Sequence, residues 1–431
     1  MKKATDFYEI LNAVEFNNPI DERDEFYTDF SGLRKGFNEK KIFKMLNINP
    51  NNSECNPLTS PQRIFLSGHR GTGKTTELLK LRNEINKTNC FLTVFCDVSN
   101  EELDINNIDF VDVVIFMLEQ LVKELKDKEI NIKQSDVESF YSWYEQRIVE
   151  INDKTDASAT IETEAKVTAS IPLLFSLITK TKAKLSASQD TKDTIRRVFT
   201  NKFSDFSIKF NEFILNIKET IKKEKIAQDL LFIVDGFEKI GTLEDRKKIL
   251  IDNSNKFIEI KSNMIIALPI ELFSEVATLS NFSTPISFPL ITLDYKGEEK
   301  FKEFIYKRVD EKLFEDEATV KEIIRYGAGS PRETLKIIEE AYIATEEEII
   351  DSTSVKNAKD KISNEIANYL SAEELEVLKE IEKNEIVSYS SALASLMVKK
   401  VILEYGENST KKINPIILEN ETYKKLVELK E

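Results

Sequence analysis

Apolar residues in this chain recur with two periods, and the alternation between them sketches an architecture. Ile64-Phe65-Leu66 is a short apolar run of strand type that leads into a glycine-rich stretch, and Glu77–Ile85 beyond it favours helix. Phe91–Val98 is a second strand candidate. The next segment carries Val111, Val114, Ile115, Leu118, Leu121, Val122 and Leu125 at helical spacing on one face. Leu230–Asp235 and Met264–Leu268 are continuous apolar runs, the pattern of strands buried on both faces of a parallel sheet. A further strand is expected within Ile286–Ile291. Strand, loop, helix, strand, helix is the opening of an α/β fold with a parallel sheet.

Residues 131–228 interrupt that alternation and read as a helical insertion. Within it, Thr155–Lys192 is rich in Ala, Ser, Thr and Lys, with one apolar patch at Ile171–Phe175. That patch is expected to cap its own insertion, the alternative being a tip that docks a partner or touches a membrane. From Gly297 to about Asn384 the pattern is helical, and Ser388–Lys399 is a short helix. Val401–Tyr405 and Lys412–Leu418 read as a β-hairpin around the turn residues Gly406-Glu407-Asn408-Ser409. Helices followed by a small hairpin suggest a winged-helix-like unit. The expected division is a lead-in over 1–60 that packs on the core, a core over 61–295 with its insertion at about 131–228, a helical lid over 296–370, and a C-terminal unit over 371–431.

Composition sharpens this. In 431 residues there are 11 glycines and 10 prolines, too few for a turn-rich β architecture, so long helices are expected. The formal charge of −15 opposes contact with nucleic-acid phosphate unless a local basic patch overrides it. Cys55, Cys90 and Cys96 form no CxxC pair, and one histidine leaves no Cys/His metal set. The odd cysteine count reads as a reducing compartment, hence the cytoplasm. No apolar stretch approaches the ~20 residues of a membrane span, and the N-terminus leads into no signal-peptide core.

The candidate chemistry begins at Gly68-His69-Arg70-Gly71-Thr72-Gly73-Lys74-Thr75, which fits G-x-x-x-x-G-K-[ST] and continues through Thr76. Gly68, Gly71 and Gly73 let the backbone turn its N–H groups toward phosphates, and the helix that follows adds its positive end. Lys74 is expected to reach the β- and γ-phosphates of ATP, Thr72 and Thr76 to belong to the cradle, and Thr75 to ligate Mg²⁺. The metal shell also needs an acid at the end of a neighbouring strand, and Asp235 ends the most hydrophobic one. Hydrolysis needs a carboxylate to orient water. Gly236 follows Asp235 directly, so Glu238 is the nearest candidate base, with Glu244 and Asp245 behind it. In Gly327-Ala328-Gly329-Ser330-Pro331-Arg332-Glu333, glycines end one helix and Ser330 caps the next, with Pro331 in first place. Arg332 then stands in the first helical turn, where a cation is unfavourable unless a phosphate lies near.

These three motifs, in this order and spacing, resemble the AAA+ and STAND groups of P-loop ATPases, from roughly Phe26 to the C-terminus. The resemblance implies ATP and Mg²⁺ held between an α/β domain and a helical lid, with Lys74, Asp235, Glu238 and Arg332 as the working residues. It also implies a homo-oligomer, a separate effector protein and a setting like that of bacterial anti-phage ATPases. The missing acid after Asp235 and the apolar end of the strand Ala267-Leu268-Pro269 depart from the pattern, and both point to slow hydrolysis. A DNA-binding ATPase that uses its winged helix and a ring-forming motor are the competing readings. Relatives often contact the base upstream of the P-loop, where Tyr27 and Arg34 stand. Arg308 is a candidate trans-acting finger that reads better as a surface arginine, and His69 and Arg70 receive no role.

Overall fold

The structure, a computed structural model, describes residues 2–428 apart from 50, 53, 100–102, 156–159, 163–168, 280, 281, 283, 284, 384–387 and 407–409. Five parallel strands, β1 (Arg63–Gly68), β2 (Phe91–Asp97), β3 (Asp229–Asp235), β4 (Asn263–Pro269) and β5 (Ile286–Ser287), form one sheet in the order β2-β3-β4-β1-β5. Alternation along the strands divides the core. Ile64, Leu66, Ile233 and Ile265 face one side of the sheet, while Phe232, Val234, Met264 and Ile266 face the other. β5 is shorter than the expected run, because Pro289 has no N–H to continue the ladder. Leu290 then pairs with Tyr405 in the C-terminal unit.

The lead-in divides between two bodies. Ala4, Phe7 and helix α1 (Ile10–Ala13) belong to the lid's apolar cluster, whereas Ile42 and Phe43 of α2 (Glu39–Met45) pack under the sheet. After α2 the chain doubles back, with Ile48 bridging Cys55, and Cys55 is disulfide-bonded to Cys90 at the start of β2 (Cα–Cα 5.4 Å). The odd cysteine count gives no sign of this pair. A 35-residue separation carries no signature, and only the fold brings the two together.

Helices α3 (Lys74–Lys87) and α4 (Phe110–Asp127) flank the sheet. The insertion consists of α5 (Gln134–Asn152), α6 (Ile171–Leu185), α7 (Gln189–Asn201) and α8 (Phe203–Lys223). It surrounds α4 and shares one apolar cluster with β2 and β3. Polar residues of α4 that become buried are neutralised from the insertion: Glu119 by Lys182 at 2.6 Å, and Asp112 by Arg196. The Ile171–Phe175 patch is no exposed tip. It opens α6 against α4, with Leu174 fully buried and Lys126 4.8 Å over the Phe175 ring. Among the described residues no helix is long and apolar enough to cross a membrane.

Short helices α9 (Leu243–Lys247), α10 (Ser254–Glu259) and α11 (Phe273–Ala277) lie around β3 and β4. The segment expected to form the lid contains α12 (Tyr295–Tyr306), α13 (Glu317–Gly327), α14 (Pro331–Ala344) and α15 (Ser352–Ala367). Beyond it come α16 (Ala372–Glu382), α17 (Ser391–Val398), the antiparallel pair β6 (Ile402–Tyr405) and β7 (Thr410–Ile413), α18 (Pro415–Leu418) and α19 (Glu421–Glu428). The second hairpin strand, expected over Lys412–Leu418, stops at Ile413. Pro415 cannot donate to a ladder, and the Asn414 side chain accepts from Ile416 N–H at 3.2 Å to start a helix instead. The expected turn at 407–409 lies outside the described residues.

Candidate nucleotide site

The glycines of the loop are required by what surrounds them. A Cβ on Gly68 would lie 2.3 Å from the Phe288 carbonyl oxygen, and Gly71 and Gly73 have φ of +89° and +90°. The loop is braced from behind by Arg34, which is buried, donates to the carbonyls of Thr72 and Pro289 and stacks 4.1 Å from the Phe288 ring. Burial lowers its pKa to about 10. Arg34 thus supports the loop, and both it and Tyr27, the two residues expected near a base, line the cavity in front of the loop. The Lys74 ammonium, also buried, donates to the carbonyls of Gly68 (2.7 Å) and His69 (3.1 Å).

Asp235 ends β3 at 1% exposure. The residue after it must be glycine: φ is +96°, and a Cβ there would lie 2.5 Å from Asp97 Oδ1 and 2.8 Å from the Ser99 nitrogen. An acid at position 236 has no room. A 3₁₀ turn, Phe237–Lys239, follows directly and carries Glu238 to the cavity instead. Among the described residues, Asp235 Oδ1 and Glu238 Oε2 are buried without a hydrogen-bond partner, and the Thr75 hydroxyl lies beside the Asp235 carboxyl. Burial, then the charge of Glu238, raises the pKa of Asp235 to about 6. Burial pushes the same way on Glu238, but Lys74 and neighbouring cations hold it below its usual range. Orphaned carboxylate oxygens beside a hydroxyl are a hard oxygen set that fits Mg²⁺. Asp245 is occupied elsewhere, capping α9 through Thr242 at 2.7–2.8 Å, and Glu244 of the same helix does not line the cavity.

The lid reaches this loop directly. Ser330 caps α14 by accepting from Glu333 N–H, and its hydroxyl donates to the Gly71 carbonyl at 3.1 Å. The Arg332 N–H donates to the same oxygen at 3.3 Å. Contact is so close that a Cβ on Gly71 would lie 2.8 Å from the Arg332 Cβ. The Arg332 guanidinium enters the cavity, donating to the Phe16 carbonyl at 3.2 Å. Burial, then the charge of Arg70, lowers its pKa. Glu333 pairs with Lys400 of the C-terminal unit.

One cavity runs from the loop residues 71–77, Glu238 and Arg332 to an aromatic end formed by Phe16, Phe26, Tyr27, Phe30 and Phe304, together with Arg308. Arg308 is not a surface arginine. It is 2% exposed, stacked against Phe304 (4.0 Å) and Phe26 (5.2 Å), in the Phe-rich end of α12. His69 also has a place. Its Nδ1 faces the Met397 carbonyl at 3.1 Å, and Glu404 N–H donates to its Nε2 at 3.0 Å, so the ring is neutral with its proton on Nδ1. The loop thereby joins α17 and β6. In the sequence, the sole histidine at a variable loop position was the only hint.

No protein-family model matches the chain, and no curated protein does. Three solved structures are similar along almost their whole lengths. The Walker-type ATPase PABY2304 of Pyrococcus abyssi shares 14% identity at a TM-score of 0.42, over 94% of this chain and 98% of its own. Cdc6p from Pyrobaculum aerophilum shares 12% at 0.35, over 95% and 99%. The Orc1 protein of Aeropyrum pernix, solved in complex with DNA, shares 10% at 0.32, over 99% and 98%. Similarity of this size assigns no activity, and the chain's own geometry must do so.

Proposed function

We propose that the chain binds Mg²⁺–ATP and acts as a switch, or slow ATPase, that regulates a separate partner protein. The observation that carries the reading is the Gly71 carbonyl, which receives hydrogen bonds from the first turn of the lid while the same loop holds the C-terminal unit through His69. A phosphate-binding loop bonded to two other bodies can transmit its occupancy to both. Gly71, Thr72, Gly73 and Thr76 cradle phosphate, Lys74 and Arg332 bring positive charge to it, and Thr75 and Asp235 hold the metal. Mg²⁺ held by Thr75 and Asp235 would supply positive charge against the charge that develops on the phosphates. Glu238 orients a water and accepts its proton.

Slow turnover follows from the turn at Gly236, which leaves no room for an acid directly after Asp235, and from β4, whose end is apolar and buried. We also propose that the units 61–295, 296–370 and 371–431 move as bodies, with residues 1–14 travelling with the lid, and that copies of the chain associate. The DNA-binding alternative is disfavoured because Lys399 and Lys400 are engaged internally by Glu374 (2.7 Å) and Glu333. Titrating ATP into Asp235→Asn with and without Mg²⁺ tests the metal assignment. Binding should persist in part and lose its Mg²⁺ dependence; an undiminished Mg²⁺ effect contradicts it.

A further inference from the structure

The aromatic end of the cavity contains Arg308, a cation that forms no ion pair among the described residues. Arg308 gives one Nη1–H to the Phe304 carbonyl at 3.0 Å, which caps α12, and among the described residues its buried Nε has no partner. Burial lowers its pKa to about 10, and the charge of Asp24 offsets this only in part. In the same cavity lining, the Thr28 hydroxyl is buried and, among the described residues, also without a partner. Two orphaned polar groups at one end of a cavity lined by Phe26, Phe30 and Phe304 are expensive unless something completes them. A guanidinium has five N–H donors and no acceptor, so what completes it is an acceptor. The aromatic rings around it require a flat, apolar body.

We infer that Arg308 and Thr28 read the nucleobase: the guanidinium Nε–H donates to a ring acceptor of a purine, and the Thr28 hydroxyl bonds the same edge. This rests on the nucleotide reading of the P-loop and adds to it the residues that make the site select a base. Both purines present a ring-nitrogen acceptor next to their six-membered ring, which suits a donor-only group. The stacking rings explain why the cation tolerates burial here, since its faces lie against π-systems.

The test compares ATP with inorganic tripolyphosphate, which offers the phosphates without the base, by calorimetric titration of wild type, Arg308→Met and Thr28→Val. Methionine keeps the apolar stem between the rings while removing the donor. ATP should bind Arg308→Met roughly ten- to a hundredfold more weakly, Thr28→Val should show a smaller loss, and tripolyphosphate should bind all three alike. Unchanged ATP affinity in both variants overturns the inference, as does an equal loss for the two ligands, which marks a structural role. Should Arg308→Met fail to fold, Thr28→Val decides by the same criteria. Wild type that binds both ligands equally overturns this inference alone; wild type that binds neither overturns the nucleotide reading with it.

Discussion

The two ends of the cavity are built on different principles. The phosphate end is one continuous loop, residues 68–76, whose shape follows from three glycines and whose charge comes from Lys74; Glu238, in the turn after β3, lines the cavity there, while Asp235 is buried at the end of β3. The aromatic end is assembled from distant segments, with Phe16, Phe26 and Thr28 on the lead-in, Phe304 on α12 and Arg308 just after it. Phosphate has a fixed charge that a short backbone loop can meet. A base is flat and weakly polar, and only a tertiary assembly supplies faces and edges for it. The segment 296–370 contributes to both ends, Arg332 to one and Phe304 with Arg308 to the other.

The largest effect should come from the loop. Lys74→Ala removes the loop's own lysine, whose ammonium is bonded within it, and ATP binding should fall beyond detection by calorimetry; retained affinity would mean that the aromatic end dominates. Next is Glu238→Gln, which should lower single-turnover hydrolysis by roughly a hundredfold or more while ATP stays bound. Unchanged turnover would show that no carboxylate of this turn orients the water. Arg332→Ala should weaken ATP by roughly ten- to a hundredfold and ADP by less, since ADP lacks the γ-phosphate. Equal losses would move Arg332 away from the phosphate end.

The smallest effect concerns the joint between loop and C-terminal unit. Burial, then the charges of Lys74, Lys400 and Lys411, lowers the pKa of His69 to about 3 against the Met397 hydrogen bond that favours its charged form. An unfolded histidine has a pKa of about 6.5, so between those values the unfolded chain binds the extra proton. Stability should therefore fall as pH falls below about 6.5, by up to ~1.4 kcal/mol per pH unit from this group. His69→Gln keeps a donor and an acceptor without titrating, and the chain has no other histidine. Urea unfolding between pH 6.5 and 5 should show a flatter slope in that variant; the same slope in both would remove His69 from the account.

Legibility in the sequence followed the same division. The strands β1 to β4, the loop, Asp235 at a strand end and the capped start of α14 are local features, and each stands where its pattern placed it. Position 236 shows why a motif can depart from its family, since only the structure brings Asp97 and Ser99 against that glycine. The Cys55–Cys90 pair, the burial of Arg308 and the bracing role of Arg34 depend on contacts between remote segments. Spacing carries no trace of them. Ile171–Phe175 is expected from the sequence to cap its own insertion, and only the fold brings it against α4, which precedes the insertion.

The central claim is that nucleotide on the loop fixes the lid, and amide hydrogen exchange in the first turn of α14 tests it most directly. The Arg332 N–H is bonded to the Gly71 carbonyl, so its exchange reports the lid's contact with the loop. With Mg²⁺ and a slowly hydrolysed ATP analogue, exchange across Pro331–Leu335 should slow in wild type and stay unchanged in Lys74→Ala. Wild type that binds the analogue by calorimetry yet shows no change in that turn would contradict the account.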